Sequence, residues 1–193
     1  MPTYSGGLED LLYGDTIAAL SSAPGRGAIA VVRLSGAETE KVVRKIFRPK
    51  DSEEKFENRK FRVGRFVGAD GEAVDEGMAV MIFGPGSYTG ENMAELYCHG
   101  GPGIVRALLV ATSEAGARPA GPGEFTKRAF LAGKIDLLQC ESVADLVSAE
   151  TRRAAQAALS HLDSGLSKAL ESIWENIVEA GAHLEAAIDF PDE

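Results

Sequence analysis

The sequence lacks most of the residues that make a function easy to read. Its two cysteines, Cys98 and Cys140, form no CxxC pair and have no histidine at ligand spacing, so neither a disulfide framework nor a zinc site is expected. That usage fits a reducing compartment. Positive charge is scarce: 20 basic residues stand against 29 acidic ones, a net charge of −9. That argues against unaided, sequence-blind adhesion to nucleic acid or anionic membrane, which rests on neutralising phosphates, so a nucleic acid partner would need a local basic patch or another protein. No stretch of about 18 consecutive apolar residues is found, and no charged start leads into an apolar core. Neither a transmembrane segment nor a secretory leader is expected, and a cytoplasmic protein is the default. Neither GxGxxG between a strand and a helix nor GxxxxGK[ST] occurs, so no nucleotide site is expected within these residues.

What is present is enough apolar residue, 45% of 193, for one good core and a second small module. The opening "MPTYSGGLEDLLYG", residues 1–14, is weakly patterned and reads as an extension. From Asp15 the texture is that of an α+β domain, taken as residues 15–121. "TIAALSS" and "AIAVVRLS" read as strands, the second apolar enough to suit burial on both faces. Val42, Val43, Ile46 and Phe47 recur at helical steps after Gly36. "RPKDSEEKFENRK" has no period and reads as a surface loop. "FRVGRFVG", the Asp-Gly turn at 70–71 and "VDEGMAVMIFG" predict a hairpin, "MAELYCHGG" a short strand, and Pro102 to Ala115 a helix. Residues 122–193 run at helical period. A helix is expected over 139–160, then a long amphipathic one carrying Leu162, Leu166, Leu170, Ile173, Ile177, Leu184 and Ile188. Two long helices close no core between themselves, so this module reads as an incomplete helical bundle.

Two charges stand out because they interrupt apolar strands. Arg33 shares a strand face with Ile29 and Val31, and Glu95 shares one with Met93 and Tyr97. A guanidinium or carboxylate in such a place needs a partner. The partner is either the protein's own opposite charge, Arg33 to Glu95, or a bound ligand. Lys134, after the helix-ending Gly133, reads by itself as solvent-facing, and His99 as a hydrogen-bonded structural histidine. The glycine-rich stretches at 23–27, 84–91, 98–103 and 121–125 are turns, or places where backbone N–H groups approach an anion or ring. At "GPGEF" the start of a helix carrying Glu124 would favour a carboxylate or other anion.

Four separated motifs, "DTIAALSSAPGRGAIAVVRLSG", "GPGSYTGENMAELYCHGGP", "PGEFTKRAFLAGKIDLLQCESVADLVSA" and "AAIDFPDE", together resemble the N-terminal part of the tRNA-modification GTPases of the MnmE (TrmE) family. The resemblance runs from residue 15 to 193. It implies a tetrahydrofolate-binding, dimer-forming α+β domain like that of the aminomethyltransferases, followed by the first helices of a central helical domain. It implies folate contacts at Arg33, Glu95 and Lys134, with 5-formyltetrahydrofolate or a related reduced folate as ligand, and no catalytic residue or metal site in this stretch. For the whole protein it implies GTP hydrolysis with magnesium and potassium, and modification of the wobble uridine of tRNA. The implied partners are a second copy, a flavin-dependent protein of the MnmG (GidA) type, and tRNA through the complex. That family's GTP-binding domain follows "FPDE" and is not in this sequence, so a fragment without GTPase activity of its own is expected. A free-standing aminomethyltransferase-like enzyme and a purely structural dimerisation module are the alternatives.

Overall fold

The computed structural model describes residues 14–51, 55–162 and 165–189. The opening extension up to residue 13, residues 52–54 of the charged loop, the side chain of Leu166 and the terminal "FPDE" lie outside the described residues. The chain divides into two compact units, Met1–Lys134 and Ile135–Glu193. The change of texture read at residues 121–122 marks the turn into a helix that still belongs to the first unit.

The first unit is built on one seven-stranded sheet, with β1 (Ile17–Leu20), β2 (Ile29–Ser35), β3 (Phe47–Pro49), β4 (Phe61–Val67), β5 (Ala73–Ile82), β6 (Met93–His99) and β7 (Arg118–Pro119) in the order β3-β4-β5-β6-β2-β1-β7. All pairs are antiparallel except β1 with β7. Two helices, α1 (Thr39–Ile46) and α2 (Pro102–Ala115), bury Val42, Val43, Ile46, Leu108 and Ala111 against Val32, Leu34, Phe66, Met81 and Leu96. The strand alternation that makes this face apolar sends every second side chain to the other face. β2 is therefore not buried on both faces. Ala30, Val32 and Leu34 point into the core, while Ile29 is 64% exposed and Val31 and Arg33 are half-buried.

The Asp-Gly hairpin forms as read: Gly68 N–H donates to the Glu72 carbonyl, and Gly71 takes a φ of +81°. "RPKDSEEKFENRK" is not loop throughout, since Arg48 and Pro49 complete edge strand β3. A third helix, α3 (Glu124–Leu131), ends at Gly133 with φ +65°, and Lys134 N–H donates to the Ala129 carbonyl.

The second unit is helical. The single helix expected over 139–160 is two, α4 (Leu137–Ser148) and α5 (Arg152–Leu162). Ala149 turns extended at ψ 113°, and Thr151 Oγ1 caps the new helix by accepting from Ala154 N–H. Asp136 and Gln139 form a capping box at the start of α4, and the Gln139 amide reaches the Leu162 carbonyl at 2.8 Å. The two helices thus form a hairpin. The last helix, α6 (Gly165–Asp189), leaves Leu170, Ile173, Trp174, Ile177, Leu184 and Ile188 exposed. Among the described residues no helix is long and apolar enough to cross a membrane.

Candidate functional site

Register alone brings Arg33 and Glu95 together. They are directly opposed Cα partners in the β2–β6 ladder, on the face away from α1 and α2. The Arg33 Nη2 and Nε groups donate to Glu95 Oε1 at 2.7 and 3.1 Å, so the first of the two partners open to them, the protein's own opposite charge, is realised. The pair is not sealed, for the two side chains are 30% and 17% exposed. Tyr97, two residues along the same face, donates its hydroxyl to Glu95 Oε2 at 2.7 Å. Burial first, then the Glu95 carboxylate, pushes the Tyr97 phenol up to about 12, which keeps it a donor. The Arg33 guanidinium stands over the Phe125 ring of α3, 5.9 Å from its centroid. A carboxylate offers about four acceptor positions. Glu95 is therefore fixed in orientation with room on Oε2 for a further donor.

Lys134 makes no hydrogen bond or ion pair with either of these residues. Its ammonium donates to the Pro85 carbonyl at 2.9 Å, in the loop that joins β5 to β6. That loop runs alongside α3: Tyr88 and Thr126 share a hydroxyl hydrogen bond of 3.0 Å, and a Cβ on Gly90 would sit 3.3 Å from Ala132. Where the sequence left backbone N–H groups as one possibility, this loop presents carbonyls to cations instead.

A buried ionic cluster holds α3 in place. Arg128 is only 4% exposed, yet its Nη1 meets both Glu91 oxygens at 3.1 and 3.2 Å and its Nη2 meets Asp15 Oδ1 at 2.6 Å and Glu124 Oε1 at 3.1 Å. Ser35 on β2 donates to Glu91 Oε2 at 2.6 Å and pairs with Thr89 at 2.7 Å. On the outside Arg118 binds Asp15 and both oxygens of Glu124. The start of α3 therefore has its anion already, in its own Glu124, which accepts from Gly121 N–H at 2.7 Å.

Arg118 foremost holds the Glu124 carboxyl down to about 2, with burial opposing and Gly121 N–H and Arg128 assisting. Burial would raise the Asp15 carboxyl too, but Arg118 and Arg128 outweigh it and leave it lowered. The unfolded Glu124 takes up its proton near the ordinary 4.5, the folded one only near 2. Its stabilisation is full above 4.5 and drains away as the pH falls through 2. Thermal melts followed by circular dichroism should show the midpoint dropping across that window, and more gently in Glu124→Gln. Parallel slopes would remove Glu124 from the account.

His99 is a structural histidine of the kind expected. Its Nδ1 lies 2.8 Å from Asp75 Oδ1, and its backbone N–H donates to the other oxygen at 2.7 Å. Sequence reading missed Tyr97 as a partner of Glu95, although it placed both on one face. It missed Phe125 and Arg128 outright, because an aromatic and a base in a helix look like core and solvated surface. Two grooves of about 800 and 470 Å³ flank the exposed side of α2, lined by Arg106, Val110 and Glu114 in common, and none of Arg33, Glu95 or Lys134 borders them.

Comparison with protein-family profiles matches residues 16–134 to the family described as "GTP-binding protein TrmE N-terminus" and residues 137–193 to the "MnmE helical domain". Among curated proteins the chain is similar to the "tRNA modification GTPase MnmE" of Symbiobacterium thermophilum, 47% identical over 180 residues that cover 92% of this chain and 39% of the relative. It is also similar to the proteins of that name from Syntrophotalea carbinolica, 44% identical over 95% of this chain and 40% of the relative, and Thermotoga sp. (strain RQ2), 44% identical over 93% and 39%. The chain spans about two fifths of the length of these relatives. With the two family profiles matching the two units in turn, over 16–134 and 137–193, the chain belongs to the TrmE/MnmE family, its first unit matching the TrmE N-terminal domain and its second the MnmE helical domain.

Proposed function

We propose that the first unit binds a one-carbon tetrahydrofolate and dimerises, as part of a whole protein that hydrolyses GTP and modifies the wobble uridine of tRNA. The observation that carries the folate reading is the Arg33–Glu95–Tyr97 cluster beside Phe125. A pterin edge presents an amino group and a ring N–H side by side, the donor pair that a fixed carboxylate such as Glu95 accepts. Arg33, held by Glu95, offers N–H groups to a ring carbonyl, and Phe125 supplies an aromatic surface close by. Lys134 is exposed and suits the anionic end of the ligand. When bound, the folate supplies a one-carbon unit. The residues named here bind and orient it, and none is placed to act as acid or base on that carbon.

Dimerisation is favoured by the sheet face that carries the site. Phe61, Val63, Met78 and Ile29 are 53%, 51%, 36% and 64% exposed there, and Phe61 packs edge-on against Tyr97 with centroids 5.3 Å apart. A second copy seated on this face would cover apolar surface that continues directly into the Arg33–Glu95 pair. The apolar stripe of α6 fits packing against the rest of a helical domain in the longer protein. The reading carries with it GTP, magnesium and potassium outside these residues, a flavin-dependent partner protein of the MnmG type, tRNA bound through the assembly, and a cytoplasmic setting.

Isothermal titration of the 193-residue chain with 5-formyltetrahydrofolate tests the reading. Glu95→Ala should weaken binding by at least about tenfold, the cost of losing a charge-assisted donor–acceptor pair. Equal affinity in the two proteins overturns the assignment. Self-association without any heat of binding would leave the chain as a dimerisation module.

A further inference from the structure

The loop between β5 and β6 is held by two cations on consecutive carbonyls. Lys134 Nζ donates to Pro85 O at 2.9 Å, and Arg59 Nη2 donates to Gly86 O at 2.6 Å. Neither cation has a carboxylate partner among the described residues. A lysine carries three N–H donors and an arginine five. Most of these therefore have no acceptor among the described residues, in a protein whose acidic residues outnumber its basic ones.

Arg59 is not there by accident of a floppy surface chain. Its φ of +60° is the one positive value of a non-glycine residue among the described residues. Long side chains hold that conformation only where the surroundings fix it. Here the fixing is done by two hydrogen bonds to β5 and the residue after it: Arg59 N–H donates to the Met81 carbonyl at 2.7 Å, and the Asn58 side-chain Oδ1 accepts from Phe83 N–H at 2.9 Å. Met81 is the ladder partner of Ala94, next to Glu95. Each strand step is about 4.8 Å, so the Arg59 backbone stands about 10 Å from the strand that carries Glu95, at the same end of the sheet.

The site thus has a polarity. At one end are Glu95, Arg33 and the Phe125 ring, suited to a flat head with donors along its edge. At the other are two exposed cations with donors to spare, joined to the first end by the 84–90 loop and α3. A folate has the same polarity, an uncharged ring followed by a glutamate that cells extend through γ-linked residues, each adding a carboxylate. Resting on the folate reading above, we propose that Arg59 and Lys134 together form a carboxylate clamp for that tail, making Arg59 a further ligand-binding residue and poly-γ-glutamyl folates the preferred class. The clamp attracts a polyanion locally where the net charge of −9 would otherwise repel it.

Titrating the full chain with mono- and triglutamyl 5-formyltetrahydrofolate separates this proposal from the reading beneath it. The triglutamate should bind about fivefold to tenfold more tightly, with the gap narrowing as salt is raised. Arg59→Gln and Lys134→Gln, each verified as folded by circular dichroism, should close most of that gap. If Arg59 served only to brace the loop, its replacement would weaken both ligands alike and leave the gap intact, which overturns the proposal while the folate reading stands. No gap in the unsubstituted chain overturns it equally. Absence of binding to either ligand removes the folate reading and the clamp with it.

Discussion

Replacing Arg128 with methionine is expected to destabilise the first unit by about 3–5 kcal/mol, the usual cost of removing one partner from a buried ion cluster. Methionine roughly keeps the volume and deletes the charge, so packing loss contributes little. What remains is three carboxylates, Asp15, Glu91 and Glu124, without the cation they share at Arg128, and of these only Asp15 and Glu124 keep Arg118. Glu91 is 11% exposed and would keep only the Ser35 hydroxyl. Adding Glu91→Gln to the methionine variant should restore part of the loss, because it removes one of the stranded charges. Urea denaturation followed by far-ultraviolet circular dichroism checks this. The only tryptophan, Trp174, lies in α6, so its fluorescence reports the other unit. A loss under about 1 kcal/mol would mean that the cluster is no more than a surface network.

The second large effect is expected at Gly77. A Cβ there would stand 2.0 Å from the Tyr97 carbonyl and 2.9 Å from the Phe66 ring. The first obstacle is backbone, which yields only if β5 and β6 move apart. Overpacking of this kind costs about 1–3 kcal/mol and sometimes more, and Gly77→Ala belongs at the upper end. The displaced strand is the one that presents Glu95 and Tyr97, so folate affinity should fall along with stability. Amide hydrogen exchange would show the β5–β6 ladder losing protection before β2–β6. Unchanged protection at Ala79 and Leu96 would argue that the strands tolerate the extra carbon.

The sheet and α2 were largely legible because their signals are periodic. Alternation and an Asp-Gly turn announce β4 and β5, and Pro102 and Gly116 bracket α2 at the ends where the two residues belong. β3 and β7 are three and two residues long, too short to show any period. The break at residues 149–151 was hidden because Ala149 and Glu150 are good helix formers and only Thr151 marks a cap. In the site, Arg33 and Glu95 could be singled out as charges on apolar stripes, though the same pattern could not say that register would pair them. Lys134 reads by itself as a solvent-facing lysine after a helix end, and only the family resemblance makes it a site candidate. Phe125, Arg128 and Arg59 gave no signal, since what each does depends on a partner more than 25 residues away in the chain.

The parallel pair of β1 with β7, and the contacts of Asp15 with Arg118 and Arg128, tie the start of the described chain to residues some hundred positions later. During synthesis, β1 leaves the ribosome long before its outer neighbour exists. Until then it can be held on one edge only, by β2. Closing so long a loop is slow and comes late. The nascent domain therefore waits with its N-terminal border exposed, and chaperones that shield such edges would find their substrate there.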